Sequence, residues 1–304
     1  MLEAMEKLCE PPELVEDSKN IVGESLVWNQ KRHTLHWVDI IQKQVYSLDF
    51  STKKLKIDSA PDFITSIGLT DDGRAIIGLI KEVVLWDFDQ VWLDFATIEG
   101  DNLDVRLNEG VVGPDGQFWV GTMQKNFTDQ GLPLTIDKHL GRIYRIAQSG
   151  KVSSPTDDLF GITNTFVWPN ASRFVTADTL TNTLYDYPLS PLGELGQRQV
   201  LLKDYARGLP DGSCVDEEGY VWNCRVVGGA CVVRICPNGE VDRVVELPCT
   251  WPTSCAFAGP NLNRLFITSA RFSMNSDHLE ANPHEGGLFS IDVGVKGLLP
   301  NLFV

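Results

Sequence analysis

Leu209-Pro-Asp-Gly-Ser-Cys-Val-Asp216 sets an acid, Asp211, immediately ahead of a short apolar run. The same arrangement returns along the chain. Glu24-Ser-Leu-Val-Trp-Asn29, Asn108-Glu-Gly-Val-Val-Gly113 and Asn164-Thr-Phe-Val-Trp-Pro169 align with Asp211-Gly-Ser-Cys-Val-Asp216. Thr65-Ser-Ile-Gly-Leu-Thr70 and Thr253-Ser-Cys-Ala-Phe-Ala258 are fainter copies. Each copy opens with an oxygen-bearing side chain and runs into apolar residues.

The segments after the copies repeat as well. Each apolar run ends in a polar turn such as Asp71-Asp-Gly73, Pro114-Asp-Gly116 or Glu217-Glu-Gly219. These residues favour hairpin turns. Second runs come next at Leu35–Val38, Ala75–Gly78, Phe118–Gly121, Arg173–Thr176, Tyr220–Asn223 and Arg264–Thr268. Third runs lie at Gln44–Leu48, Val83–Trp86, Arg142–Ile146, Thr183–Tyr187, Ala230–Ile235 and Gly287–Ile291. Weaker fourth runs include Leu55–Asp58 and Val241–Glu246. Helical spacing is confined to the first ten residues, where Leu2, Met5 and Leu8 are apolar. The pattern predicts an all-β chain: a six-bladed β-propeller with four antiparallel strands per blade. A β-sandwich would not explain copies in one phase. Residues 1–13 read as an N-terminal extension and 14–304 as the propeller, with Leu14–Glu16 completing the last blade.

In such a ring the first strand of each blade lines the central channel. The six opening residues then meet at one mouth, with the loops 123–140, 179–183, 225–229 and 270–286 around them. Two carboxylates, two amides and two threonines are hard oxygen donors. They suit one divalent cation, Ca²⁺, Mg²⁺, Mn²⁺ or Zn²⁺. A wet, polar channel mouth with no ion is the other reading that spacing allows.

The 304 residues carry a net charge of −15. That balance disfavours nucleic acid as a partner. No apolar stretch is long enough for a membrane helix, and residues 1–10 do not read as a signal peptide. The seven cysteines are scattered without a C-x-x-C, which points to a reducing, cytoplasmic setting. The histidines His33, His36, His139, His278 and His284 form no H-E-x-x-H, and no G-x-S-x-G occurs. Cys214 reads as core packing, and Trp251 is placed to face the mouth.

The motifs Gly23-Glu-Ser-Leu-Val-Trp28, Arg106-Leu-Asn-Glu-Gly110, Trp119-Val-Gly-Thr-Met123 and Ile162-Thr-Asn-Thr-Phe-Val-Trp168 carry a resemblance. So do Pro210-Asp-Gly-Ser-Cys-Val-Asp216, Pro252-Thr-Ser-Cys-Ala-Phe257 and Gly286-Gly-Leu-Phe-Ser-Ile-Asp292. Together they resemble the SMP-30/gluconolactonase/regucalcin family, from about residue 14 to the end. The resemblance implies a divalent-metal-dependent lactonase acting on a small sugar lactone, as a monomer or small homo-oligomer. It carries the metal ligands onto Glu24, Asn164 and Asp211, with Asp211 also the candidate general base. It carries substrate contacts onto Arg106 and Asn108, and Glu109 is grouped with them as substrate-binding. There are departures. Glu109-Gly110 stands where the family usually has Asp-Gly, and Asn164-Thr165 where it has Asn-Gly. Gln124 and Lys125 replace an acid usually found after Gly-Thr-Met. Two alternatives stand beside this reading: a non-catalytic calcium-binding or interaction propeller, and a metal-dependent ester or phosphotriester hydrolase on the same frame.

Overall fold

The computed structural model describes residues 11–304. The helical pattern of Leu2, Met5 and Leu8 lies outside the described residues. Six antiparallel four-stranded meanders surround a central channel, one of them extended by a fifth strand. Their inner strands are Gly23–Asn29, Ser66–Thr70, Val105–Val112, Thr163–Asn170, Leu209–Val215 and Pro252–Ala258. The hairpin turns after them need left-handed backbone, and Gly73, Gly116 and Gly219 supply it with φ of 91°, 71° and 80°.

The ring is closed by the strand Glu13–Glu16, which pairs antiparallel with Leu288–Asp292 and becomes the outer strand of blade six. This is the role expected of Leu14–Glu16. A second closure comes from the C-terminal segment, where no strand was expected. After Asp292 the chain crosses the channel mouth opposite the oxygen-bearing residues. Gly297 accepts no Cβ there, because one would fall 2.2 Å from Phe257 Cβ. The amide of Gly297 donates to Leu262 O at 2.8 Å, and Asn301 Nδ2 donates to Val112 O at 3.1 Å. Leu302–Phe303 then pairs parallel with Leu69 and Thr70, adding the fifth strand to blade two. Phe303 is buried between blades two and three, beside Ile76, Leu107 and Val112.

The cores lie within and between blades. Val38, Ile64, Ile77 and Trp86 are fully buried in one such cluster. Trp28, Trp119 and Trp222 pack inside blades and hydrogen-bond through their indole nitrogens to Gln30, Asp115 and Asp216. Among the described residues no helix is long and apolar enough to cross a membrane.

Inner strands carry a feature that decides the site. In blades one, three, four, five and six, the inner strand advances three residues while its partner advances two. The slips lie between Glu24 and Val27, Leu107 and Gly110, Asn164 and Val167, Pro210 and Ser213, and Pro252 and Cys255. Each is a β-bulge at the repeated oxygen-bearing position, and a bulge re-aims side chains. Blade two has none: Ser66 to Leu69 pairs in unbroken register with Gly78 to Ala75.

Candidate metal-binding active site

The bulges turn Glu24, Asn108, Asn164, Asp211 and Thr253 into one cavity of about 330 Å³ at the channel mouth. Arg106 joins them, two residues before Asn108 on the same strand and the same side. The expected loops form the walls, contributing Phe127, Ile136, Leu180, Val227 and Phe272. Trp251 lines the cavity too.

Thr65 does not join the ring. Without a bulge it precedes its strand, and its hydroxyl donates to Gly78 O at 3.2 Å within its own blade. Glu109 also departs from expectation. Its neighbours Arg106 and Asn108 face the mouth, so Glu109 faces down the channel into a second cavity of about 390 Å³, floored by Leu298–Asn301. There it accepts a bond from Gly110 N at 3.1 Å. Burial raises its carboxyl to about 7.

The polar floor of the mouth is a single hydrogen-bonded chain. Arg106 donates from Nε to Asn126 Oδ1 at 2.8 Å, and from Nη1 to Leu107 O and Asn108 Oδ1 at 2.7 and 2.8 Å. Asn108 Nδ2 donates to Thr163 O at 2.8 Å and to Asn164 Oδ1 at 3.0 Å. Asn164 Nδ2 donates to Thr179 Oγ1 at 2.8 Å, and that hydroxyl donates to Pro210 O at 2.7 Å. Both amide oxygens are thereby fixed in direction. Thr165 holds the next link: its backbone takes φ of 59°, and its hydroxyl donates to the carbonyl oxygen of Asp211. Thr165 therefore places Asp211 from the neighbouring blade, where the family pattern has glycine. Asn126 and Thr179 were not singled out from sequence, although the loops that carry them were.

The two carboxylates are left in tension. Burial, first, and then the charges of Asp211 and Glu109 push Glu24 well above the usual carboxylate range. Burial and the charge of Glu109 do the same to Asp211. Arg106 opposes both shifts, and burial lowers its own guanidinium to about 10. The hydrogen bonds of Arg106 go to amides and a carbonyl, so neither acid has it as a hydrogen-bonded partner. Two acids and an oriented amide oxygen on one floor are a donor set that fits a divalent cation. The histidines stay apart from it: His36 is buried against Ser47 at 2.8 Å, and burial lowers it to about 3.

Known proteins resemble the chain over nearly its whole length. It is 30% identical over 288 residues to 6-deoxy-6-sulfogluconolactonase of Pseudomonas putida, covering 93% of this chain and 95% of that protein. It is 32% identical over 286 residues to regucalcin of Homo sapiens, covering 91% and 93%. The crystal structure of regucalcin from Agrobacterium tumefaciens, described as a calcium-binding protein, superposes with a TM-score of 0.89. That pair is 26% identical, over 97% of this chain and 98% of the other. A family model matches residues 22–271, a span that contains all six inner strands. The chain belongs to the SMP-30/gluconolactonase/LRE-like family.

Proposed function

We propose that the protein hydrolyses a lactone with the help of one divalent cation held by Glu24, Asp211 and Asn164 Oδ1. The observation that carries this is the pair of Glu24, half-buried, and Asp211, buried, on one cavity floor, both carboxyls held well above the usual carboxylate range by burial and by neighbouring negative charge. Two such acids are stable together as anions only with a cation between them. The bound ion supplies Lewis-acid polarisation of the lactone carbonyl. Relatives bearing lactonase names support a sugar lactone as the substrate class.

The chain's own residues do the remaining work. Asp211 takes a proton from water as the water oxygen bonds to the carbonyl carbon. The ring C–O bond then breaks, and the ring oxygen leaves as a hydroxyl by accepting that proton. The product is a hydroxy acid. General-base help of this kind contributes about 10² to 10⁴ in rate. Arg106 and Asn108 orient the substrate ring from the blade-three side, and the walls exclude bulk water.

The test pairs Asp211→Asn with Glu24→Gln. Metal content is measured by atomic emission and lactone opening by acid release. Expected is a kcat loss of about 10² or more in Asp211→Asn samples that retain metal, and loss of the ion itself in Glu24→Gln. Wild-type turnover by metal-loaded Asp211→Asn would remove Asp211 as base. A non-catalytic calcium-binding role is the second reading, favoured by the calcium-binding description of the Agrobacterium regucalcin. Tight calcium binding with no lactone opened under any divalent cation would select it.

A further inference from the structure

We infer that Cys214 and Cys255 form a site of reversible oxidation, a dithiol that a small hydroperoxide entering the channel converts to a disulfide. The site stands independently of the lactone reading. It lies below the mouth, on the inner strands of blades five and six. Cys214 Sγ is 3.6 Å from Cys255 Sγ, although the two are 41 positions apart in the chain. Both side chains line the second cavity, the one of about 390 Å³ that also holds Glu109. Cys214 is half-buried and Cys255 is buried.

The backbone brings the two sulfurs within reach of a bond. A disulfide needs Cα atoms within about 6.8 Å and draws its sulfurs to about 2 Å. The inner strands of blades five and six approach closely just ahead of the cysteines. A Cβ on Gly212 would fall 2.8 Å from Thr253 O and 3.0 Å from Ser254 Cα, so the approach depends on glycine. Cys214 follows Gly212 by two residues, and Cys255 follows Ser254 by one. The sulfurs are in van der Waals contact, and closing the bond asks for a movement of about 1.5 Å between them. Other cysteines lack this setting. Cys224, Cys231 and Cys249 are buried and line neither cavity, the ordinary place of a thiol acting as a small hydrophobe.

Cys255 is the attacking sulfur. Burial opposes its thiolate, but thiol donation from Cys214 and Cys224 outweighs burial and holds Cys255 below the ordinary thiol value. Burial, first, and that same donation raise Cys214 and Cys224. As a thiol, Cys255 Sγ donates to Trp222 O at 3.4 Å. In the first step the Cys255 sulfur bonds to one peroxide oxygen and the O–O bond breaks. The departing oxygen leaves as water, taking up the proton that Cys255 released. The Cys214 sulfur then bonds to that of Cys255 as the S–O bond breaks, and the oxygen leaves as a second water with the Cys214 proton. Two thiols are oxidised and one peroxide is reduced. A sulfenic acid beside a resolving thiol ends in this way, and a thiol reductant reverses it by exchange. The bond joins the strands that carry Asp211 and Thr253.

The test treats the reduced protein with hydrogen peroxide, alkylates the remaining thiols under denaturing conditions and maps peptides by mass spectrometry before and after dithiothreitol. Expected is the loss of both thiols at Cys214 and Cys255, a linkage between their two peptides, and the return of both thiols with the reductant. Cys231 and Cys249 should stay open to alkylation throughout. This linkage is read on the wild-type protein and needs no variant. Cys214→Ser removes the resolving sulfur and should leave Cys255 as a sulfenic acid that dimedone labels. Survival of both thiols at every peroxide level, or no Cys214–Cys255 linkage where other cysteines are oxidised, overturns the inference. A folded Cys214→Ser protein that takes no dimedone at Cys255 overturns it as well.

Discussion

Asn108 Nδ2 reaches across from blade three to Asn164 Oδ1 on blade four at 3.0 Å. That bond, with the one from Asn164 Nδ2 to Thr179, fixes which end of the Asn164 amide faces the floor. Removing a residue that orients a metal ligand typically weakens the ion by about 10- to 100-fold. Asn108→Ala should therefore weaken divalent-cation binding by that factor in calorimetric titrations, although Asn108 itself is proposed to contact substrate. An unchanged Kd would show that Asn164 orients itself.

Arg106 is buried and uses both a planar edge and a separate arm, to Asn126, Leu107 O and Asn108. Lysine offers one compact charge and no fork. Arg106→Lys is expected to raise KM about tenfold or more with a smaller change in kcat, the signature of lost uniform binding. Initial-rate kinetics on one lactone suffice; equal loss in kcat and kcat/KM would place Arg106 in transition-state stabilisation instead.

Glu109 gives a stability prediction with a definite sign. Burial raises its folded-state pKa to about 7, above the ordinary glutamate value. Between those two values the folded protein holds more protons than the unfolded chain, so stability falls as pH rises through that window. In chelator, Glu109→Gln should melt close to wild type near pH 5 and higher than wild type near pH 8. Parallel melting curves for the two proteins would mean that channel water solvates the charge fully.

Phe303 anchors the segment that crosses the far end of the channel, its ring buried in the blade-two and blade-three packing. Truncating a buried phenylalanine costs about 3 to 5 kcal/mol. Phe303→Ala should lower the melting midpoint by roughly 10 °C and leave metal affinity near wild type, since the ion site is at the other mouth. Loss of metal binding in the folded variant would show that the two mouths are coupled.

Much of this was legible in the chain. The return of oxygen-bearing residues ahead of apolar runs located the inner strands, and hairpin turns such as Asp71-Asp-Gly73 located their partners. The loops around the mouth came from strand direction alone. The bulges did not, because one inserted residue leaves composition unchanged while reversing which neighbour faces where. Glu109 looked like a companion of Asn108 because it adjoins it in sequence, and strand alternation sets it facing the opposite compartment. Thr65 looked like a ring member because its blade repeats the residue type without the inserted residue. The crossing segment to Phe303 was invisible for another reason. A two-residue parallel pairing has no periodicity, and its partner strand lies more than two hundred positions away.

The bulges also separate the identity of each mouth residue from the register of its strand. Replacing Glu24, Asn108, Asn164, Asp211 or Thr253 alters one donor and leaves the rest of the strand on its proper faces. Deleting one of them would exchange the inward and outward sets beyond it, setting core side chains against the channel. The scaffold thus tolerates point changes in its ligand set and penalises changes in length. Its mouth can be rewritten blade by blade, from carboxylate to amide to hydroxyl, without any demand on the hydrophobic layers beneath.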